Sequence, residues 1–268
     1  MPVSSDGTFY NIAGPENAPV VALIHGLGLT SEITWKSIMP YLASDFRVLC
    51  YDLPGHGLSA MPRGRVDLTM LGNHLIALFD EIGVTKASLV GFSLGGMINR
   101  RVTIDHPGRV SALAILNSPH ERGAQQQKLV EKRVLETAKG GPQATIDGTL
   151  ERWFTPSFRY DHPEVVESVR NVVLSNNHEN YAAHRRVLAE GVPELIRPCP
   201  PIAKPAIVIT CEHDSGSTPA MSNCISMEIA DAETIVVPHL RHLGLIENPE
   251  LFGPPIRKFL NRIHARII

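Results

Sequence analysis

The sequence predicts an α/β fold in which a mostly parallel sheet is covered by helices on both faces. Short apolar runs alternate with amphipathic stretches over residues 18–118, and the alternation resumes over 206–264. Strands that alternate with helices favour parallel pairing, because each crossover helix packs against a face of the sheet. Between these regions the residues form helix-like stretches with no convincing strand. The chain is therefore predicted to divide into a core, residues 1–119 and 199–268, and a helical cap (lid), residues 120–198.

Six apolar, β-prone runs are predicted to be the strands of the core. They are residues 18–26, 46–55, 87–93, 110–118, 206–214 and 233–239. The runs are compact and apolar, which is typical of parallel strands that are buried on both faces. Pro54 and Gly55 end the second run.

Helices are predicted between these strands from apolar spacing and from capping or breaking residues. In the core they cover residues 31–43, 68–83, 94–106, 219–230 and 249–264, and in the cap 121–139, 143–153, 163–175 and 178–190. The cap helices are separated by breakers at 140–142, 155–156 and 176–177. Such an insertion is predicted to lie over the carboxyl edge of the sheet, where open α/β sheets bind ligands.

Composition and charge exclude several functional classes. The 268 residues carry a formal net charge of -2, with 43% hydrophobic and 19% charged residues, as in an ordinary globular protein. No basic stripe indicates nucleic-acid binding, no signal peptide is predicted, and no apolar run approaches the ~20 residues of a membrane span. The four cysteines are scattered, which predicts reduced thiols in a cytoplasmic protein.

The segment GFSLG, residues 91–95, places Ser93 between a predicted strand and a predicted helix. A turn this sharp strains the backbone of the serine, requires glycine neighbours and exposes the hydroxyl at the edge of the sheet. It also puts Ser93 at a helix N-terminus, which favours negative charge. Ser93 is therefore the predicted nucleophile. The alternative is a glycine-rich turn that contains an incidental serine.

A serine hydroxyl needs a general base, and the base needs an acid that orients it. In this architecture the order along the chain is serine, acid, histidine. Asp214 ends the fifth predicted strand and is the predicted acid, with Glu212 as the alternative. His242 lies in the loop after the last strand and is the predicted base, with His239 as the alternative.

Other histidines and glycines also follow predicted strands. His25, His56 and His120 either line the same cleft or only make local loop contacts. The glycines of HGLG, residues 25–28, allow backbone N–H groups to point into the cleft. The predicted oxyanion hole is formed by the N–H groups of Leu27 and Leu94.

Four segments together resemble the α/β-hydrolase superfamily over essentially the whole length of the chain. They are HGLG (25–28), YDLPGHGLS (51–59), GFSLGG (91–96) and HLGLIENPE (242–250). The resemblance implies an α/β-hydrolase fold with a helical cap inserted after the sixth strand, a triad of Ser93, His242 and Asp214, and an oxyanion hole at Leu27 and Leu94. Haloalkane dehalogenases and epoxide hydrolases carry aspartate at the position of Ser93, so the serine argues against both.

Within the superfamily, three segments are similar to 3-oxoadipate enol-lactonases. They are GFSLGGMINRR (91–101), LERWFTPSFR (150–159) and HLGLIE (242–247). This resemblance implies that Trp153 lies on the inner face of the lid against a small acyl or lactone group. The alternative is a core aromatic residue that holds the cap helices together.

Cap arginines are candidates for contacting a carboxylate on the substrate. They are Arg122, Arg152, Arg159, Arg185 and Arg186. A guanidinium group binds a carboxylate bidentately when it is well aimed, although most such residues are solvated charges on a helix face. The residues predicted to bind substrate are His25, Gly26, Trp153, Arg122 and Arg185.

The predicted function is hydrolysis of a small ester or lactone through a Ser-His-Asp triad and an acyl-enzyme. A general carboxylesterase and a C–C bond hydrolase of ring-cleavage products stay open. In the C–C hydrolases an aromatic residue commonly follows the histidine, so Leu243 favours esters and lactones. A non-catalytic ligand-binding module on the same scaffold also stays open.

No cofactor and no metal are expected. The sequence has no HExxH motif, no paired cysteines, no dinucleotide fingerprint and no P-loop lysine. The expected partner is a small-molecule ester or lactone, including one that bears a carboxylate, while neither nucleic acid nor a membrane is expected. A homodimer stays open, and the resemblance implies a role in aromatic compound degradation.

Overall fold

The computed structural model describes residues 2–265, which form a seven-stranded sheet beneath a group of helices. The strands are β1 (Tyr10–Ala13), β2 (Val20–Ile24), β3 (Arg47–Tyr51), β4 (Ala87–Phe92), β5 (Val110–Leu116), β6 (Ala206–Cys211) and β7 (Ala232–Val237). Their order across the sheet is β1-β3-β2-β4-β5-β6-β7, and only β1 pairs in an antiparallel direction. The predicted α/β class and all six predicted strands are confirmed. The strand missed was β1, whose four residues, three half-buried and one exposed, give no apolar run.

Seven α-helices of the core come before or after the segment that joins β5 to β6. Those of the core are α1 (Ser31–Trp35), α2 (Met39–Leu42), α3 (Leu68–Glu81), α4 (Leu94–Asp105), α10 (Pro219–Met227), α11 (Gly244–Glu247) and α12 (Gly253–Ala265). The single helix expected over 31–43 is wrong. The segment forms two helices because Pro40 has no N–H to continue the helical hydrogen bonds of α1. Pro40 lies instead in the first turn of α2, where no N–H is needed.

The segment between β5 and β6 is built from five α-helices. They are α5 (Ala124–Gly140), α6 (Ile146–Trp153), α7 (Pro156–Asp161), α8 (Pro163–Leu174) and α9 (His178–Glu190). Helix α7 was not predicted, because Thr155-Pro156 was interpreted as a break. In fact Thr155 is the N-cap, accepting a hydrogen bond from the N–H of Phe158, and Pro156 is the first helical residue.

The insertion follows the fifth strand of the chain and not the sixth, so that expectation is corrected. Within residues 2–265 the segment before β1 pairs only through one isolated bridge, between Val3 and Phe9. That bridge closes around a tight turn at Gly7, which leaves too few residues for a further strand.

The register of the parallel strands brings their following residues to one edge of the sheet. Phe92 lies beside Leu116, and Leu116 lies beside Ile209. The residues that follow β4 and β5, Ser93 and Asn117, are therefore neighbours. Every residue of β4 and β6 is buried, so this edge belongs to strands that are packed on both faces.

Helix α9 and the loop before it fasten the cap onto the core. The Asn176 side chain donates to the carbonyl of Gly28 at 2.9 Å, and the Asn180 side chain donates to the carbonyl of Gly55 at 2.9 Å. Gly28 has a φ of 75°, and a Cβ there would lie 2.6 Å from the ring of Tyr181. These contacts place α9 above the loops that follow β2 and β3.

No helix in the described part of the chain combines the length and apolar character needed to cross a membrane.

Candidate active site

Ser93 lies in the turn between β4 and α4, with φ 54° and ψ −110°. This backbone conformation is strained for a residue with a side chain, and such strain is concentrated at functional sites. A Cβ at Gly91 would overlap the backbone of Gly95, and a Cβ at Gly95 would overlap the carbonyl of Ile24. The two glycines are therefore required for the turn to approach the neighbouring strand.

A buried polar network holds this turn in place. The N–H of Ser93 donates to the carbonyl of Leu116 at 2.8 Å, and the Ser118 hydroxyl donates to the carbonyl of Ser93 at 3.0 Å. Arg100 donates in turn to Ser118 Oγ at 3.2 Å and to the carbonyl of Pro119 at 2.8 Å. Burial lowers the pKa of Arg100 to about 10, so the guanidinium stays charged near neutral pH.

Asp214 and His242 form a short, buried hydrogen-bonded pair, 2.6 Å between Oδ2 and Nδ1. The same Oδ2 accepts a hydrogen bond from the Asn117 amide at 2.9 Å. The other oxygen, Oδ1, accepts from the N–H groups of Gly216 at 2.9 Å and Ser217 at 3.0 Å. Both oxygens of the Asp214 carboxylate therefore accept two hydrogen bonds from the protein.

These contacts keep Asp214 ionised. Burial by itself raises the pKa of Asp214, but the charge and hydrogen bond of His242, with the Asn117 and Gly216 donors, outweigh burial and lower it. An ionised Asp214 accepts from a protonated Nδ1, which assigns Nε2 of the neutral imidazole as the remaining acceptor. That arrangement suits a ring that receives a proton on Nε2.

Ser93, Asp214 and His242 line one cavity of about 110 Å³ between the sheet edge and the cap. The Trp153 ring stacks over the imidazole of His242, with 6.0 Å between centroids and 30° between planes. The N–H of Leu243 donates to the carbonyl of Trp153 at 2.9 Å, which ties the cap to the histidine loop. The cap therefore covers the imidazole directly.

Three polar hydrogens, at this cavity or directly next to Ser93, make no hydrogen bond within the described residues. Leu27 lines the cavity and Leu94 is the first residue of α4, and neither backbone N–H donates to a group within residues 2–265. The Ser93 hydroxyl also makes no hydrogen bond to a described residue, His242 included. Catalytic hydrogen bonds are often long before substrate binds, so the serine and histidine are compatible with a later contact.

The sequence pattern described as alpha/beta hydrolase fold matches residues 19–249, most of the chain. The chain belongs to the α/β-hydrolase fold family. This α/β hydrolase is 28% identical to 3-oxoadipate enol-lactonase 2 of Acinetobacter baylyi, over 95% of this chain and 93% of that protein. It is 27% identical, over 97% of each chain, to the (E)-2-((N-methylformamido)methylene)succinate hydrolase of the same organism.

Among solved structures, the α/β hydrolase is similar to the enol-lactonase from Burkholderia xenovorans LB400. The two share 28% sequence identity with a TM-score of 0.87, and the match covers 95% of this chain and 96% of that one. The superfamily and enol-lactonase resemblance inferred from the motifs is thereby confirmed. Since these relatives are hydrolases, the chain is a hydrolase of this fold.

Four of the five residues predicted to bind substrate line the cavity of the α/β hydrolase: Gly26, Trp153, Arg122 and Arg185. His25 does not, so that prediction is wrong. Its Nε2 accepts a hydrogen bond from the N–H of Leu53 at 2.9 Å, and its Nδ1 lies 2.8 Å from the Gly26 carbonyl. Both ring nitrogens are committed to the backbone, so the side chain ties β2 to the loop after β3.

The alternative acid and base lie away from the cavity. Glu212 and His239 are exposed, and Glu212 Oε2 accepts from the N–H of His239 at 2.8 Å. His56 is buried and its Nε2 accepts from the N–H of Gly28, while His120 contacts Glu228 at 3.1 Å. None of these histidines lines the cavity, and their roles are the local loop contacts that formed the alternative interpretation.

Four arginines line the cavity of the α/β hydrolase, and one of them was not among the five candidates. Of the five candidates, three line it and two do not: Arg122, Arg152 and Arg185 do, whereas Arg159 and Arg186 do not. A fourth lining arginine, Arg133 on α5, was missed. The phase of α5 relative to the core depends on packing, so its sequence gave no signal for Arg133.

Asn117 was also missed, although its position carried a signal. It directly follows β5 with a φ of 45°, a conformation that asparagine adopts more readily than most residues. An asparagine at the carboxyl end of a strand beside the nucleophile strand was a readable candidate for positioning the acid.

Proposed function

We propose that this α/β hydrolase cleaves small carboxylic esters or lactones, with Ser93 as nucleophile, His242 as general base and Asp214 as the orienting acid. The observation that carries the proposal is the shared cavity, into which a strained serine and a buried, ionised Asp214–His242 pair both open. A nucleophile, a base and an orienting acid at one site are the parts of acyl transfer to water.

In the first half of the reaction, His242 Nε2 takes the proton of the Ser93 hydroxyl as Oγ attacks the substrate carbonyl carbon. The carbonyl oxygen becomes negatively charged and accepts from the N–H groups of Leu27 and Leu94. The bond from carbon to the leaving oxygen then breaks, and His242 returns the proton to that oxygen. In a lactone the leaving oxygen stays attached to the acyl-enzyme.

In the second half, His242 removes a proton from water as its oxygen attacks the acyl-enzyme. The bond between Ser93 Oγ and the acyl carbon breaks, and the serine regains its proton from His242. Asp214 stays ionised throughout and stabilises the imidazolium that forms in each half. The product is a carboxylic acid plus an alcohol, or a hydroxy or keto acid from a lactone.

The named relatives support a small substrate with an activated acyl bond. Two of them are called enol-lactonases, and a third is named as a hydrolase of a methylene-succinate derivative. The cavity of about 110 Å³ agrees with a small acyl group.

The test is hydrolysis of 4-nitrophenyl acetate followed by mass spectrometry of the acid-quenched protein. We expect turnover by the wild type, an acetyl group on the peptide that contains Ser93, and loss of both in Ser93→Ala. Ser175→Ala, at an exposed cap serine outside the cavity, is the matched control and retains both. Turnover that survives Ser93→Ala, or acetylation only elsewhere, would contradict the proposal. A wild type inert towards every ester and lactone would favour a binding module.

A further inference from the structure

Four guanidinium groups from separate elements line the cap side of the cavity. Arg122 precedes α5, Arg133 lies in α5, Arg152 lies in α6 and Arg185 lies in α9. The one acidic residue that lines this cavity is Asp214, and both of its oxygens are occupied by donors from the sheet side. The cavity therefore carries a large excess of positive charge.

Five arginines elsewhere in the described chain have close carboxylate partners, whereas the buried Arg100 donates to oxygens of Ser118 and Pro119 instead. Arg101, Arg109, Arg170, Arg257 and Arg262 each lie 2.7 or 2.8 Å from an Asp or Glu oxygen. Within residues 2–265, no such ion pair is made by any of the four cavity arginines. The difference is not a general shortage of acid in this protein, whose acidic residues outnumber its basic ones 27 to 25.

Burial makes these unpaired charges costly. Burial lowers the pKa of Arg122 and of Arg152 to about 10, and for Arg152 the charges of Arg133 and Arg185 act in the same direction. The Nη1 of Arg122 and the Nε of Arg185 are buried without a hydrogen-bond acceptor in the described residues. A fold that keeps one buried and three half-buried, mutually repelling charges without ion-pair partners loses stability unless a ligand supplies the counter-charge.

The hydrogen bonds already made show which arginines are available to a ligand. Arg152 donates to the Gly148 carbonyl and to Thr149, and Arg185 donates to the Tyr181 hydroxyl. Arg122 and Arg133 make no hydrogen bond to any described residue. Arg122, Arg133 and the free side of Arg185 thus offer donors, while Arg152 adds a fixed charge.

We infer that the substrate carries two carboxylates in addition to the acyl carbon attacked by Ser93, so that hydrolysis yields a small tricarboxylate. This inference rests on the proposed function and names its substrate class. One carboxylate would leave three of the four positive charges uncompensated, and two carboxylates reduce that number to two while each accepts charge-assisted hydrogen bonds from guanidinium donors. The acyl group then lies between the Ser93 wall and the arginine wall.

Binding of simple acids to Ser93→Ala, measured by calorimetry, tests the inference without turnover. The probes are butyrate, glutarate and tricarballylate, which carry one, two and three carboxylates, and inorganic phosphate, which has charge without their spacing. At about 0.15 M salt we expect tricarballylate to bind about tenfold more tightly than glutarate and about a hundredfold more tightly than butyrate. Equal affinities for the three acids, or tighter binding of phosphate than of tricarballylate, would overturn the inference.

Variants of the arginines locate the site. Arg122→Gln and Arg185→Gln, each in the Ser93→Ala background, are expected to weaken tricarballylate binding about tenfold, as for loss of a charge-assisted pair. Arg186→Gln is the matched control, because Arg186 is exposed on the same helix as Arg185 and does not line the cavity. Unchanged binding in both cavity variants, with native circular dichroism and melting temperature, would also overturn the inference.

Hydrolysis of the mono-4-nitrophenyl esters of the same three acids separates this inference from the proposed function. Faster turnover of the tricarballylate ester supports both. Tight tricarballylate binding without turnover of any ester would refute the proposed function and leave the anion site standing. Turnover of all three esters with equal kcat/KM, together with equal acid affinities, would refute the inference and leave the ester hydrolase standing.

Discussion

On the sheet side of the cavity the acid and the serine backbone already have protein partners, whereas the cap side presents four guanidinium groups with no carboxylate partner in the described residues. On the sheet side, Asp214 receives four hydrogen bonds and the Ser93 backbone is held by Leu116 and Ser118. On the cap side, Arg122 and Arg133 make no hydrogen bond within residues 2–265. The two walls enclose the same space, and they differ in whether their charged groups have a partner of opposite charge.

The difference agrees with the proposed division between groups that react and groups that recognise the substrate. Groups that react must be held before substrate arrives, because their orientation cannot be corrected during the reaction. Groups that recognise a charged ligand can remain unpaired, because the ligand completes them. A site where charged groups violate the usual pairing of buried charges is expected to be functional.

The largest expected effect comes from removing the base on the sheet wall. His242→Gln should lower kcat/KM for 4-nitrophenyl acetate by about 10⁴-fold, because glutamine cannot take the serine proton and both oxygens of Asp214 accept other hydrogen bonds. His239→Gln, at the exposed alternative histidine, should have wild-type kinetics. A loss below about tenfold in His242→Gln would show that the imidazole is not the base.

The stability of the contact between His184, in α9, and His56, in the loop after β3, should depend on pH. Burial lowers the pKa of His184 to about 4, with His25 adding to the effect and the Asn180 carbonyl opposing it. Burial, with His184 and His25, also lowers the pKa of His56 well below its ordinary value of 6.5. The unfolded chain therefore binds more protons below pH 6.5, so the stability due to these neutral rings is lost as the pH falls from about 6.5 towards 4.

For His184 alone, this loss amounts to about 2 kcal/mol of unfolding free energy between roughly pH 7 and pH 5. Urea unfolding at the two pH values measures it. The matched pair is wild type and His184→Gln, and the variant should lose about 2 kcal/mol less than the wild type over the same interval. The same pH dependence in both proteins would place the acid sensitivity elsewhere.

A smaller effect is expected from the residue that positions the acid. Asn117→Gly removes the amide that donates to Asp214 and still tolerates the φ of 45°. A hydrogen bond to a charged group is worth about 1.5–3 kcal/mol, so kcat should fall about tenfold or more with KM unchanged. The pH profile of kcat should shift as well, because the pKa of Asp214 loses one of its lowering influences. A raised KM with unchanged kcat would indicate that Asn117 acts on binding instead.

The smallest expected effect concerns salt. Raising the salt concentration from about 0.05 to 0.5 M should raise KM for the tricarballylate ester about threefold to fivefold, because screening weakens attraction to the arginines. The same change should leave KM for 4-nitrophenyl acetate within about 1.5-fold. An equal change of KM for both esters would show that the arginine charges do not contribute to substrate recognition.

The sheet wall could be predicted from sequence because its parts are local. The glycines around Ser93, the acid at the end of one strand and the histidine after another are each marked by neighbours along the chain. Parallel pairing then brings strand ends to one edge without further information. The prediction that His25 binds substrate was wrong because this argument does not say which side chains at strand ends face the cavity and which contact the backbone.

The cap wall could not be predicted in the same way. Arg133 and Arg186 both lie on cap helices, yet one lines the cavity and the other is exposed. Their placement depends on the helix phase and on how α9 is fastened to the loops at Gly28 and Gly55, which no single segment encodes. Thr155-Pro156, interpreted as a break between helices, is the start of α7. The sequence did not distinguish the two because threonine and proline are common both at helix starts and at helix breaks.

The most direct test of the two-wall account is the ratio of kcat/KM for the tricarballylate ester to that for 4-nitrophenyl acetate, measured in one variant of each wall. Asn117→Gly, on the sheet wall, should lower both values by the same factor and leave the ratio unchanged. Arg122→Gln, on the cap wall, should lower the ratio about tenfold. A ratio that changes equally in both variants, or in neither, would contradict the division of labour between the walls.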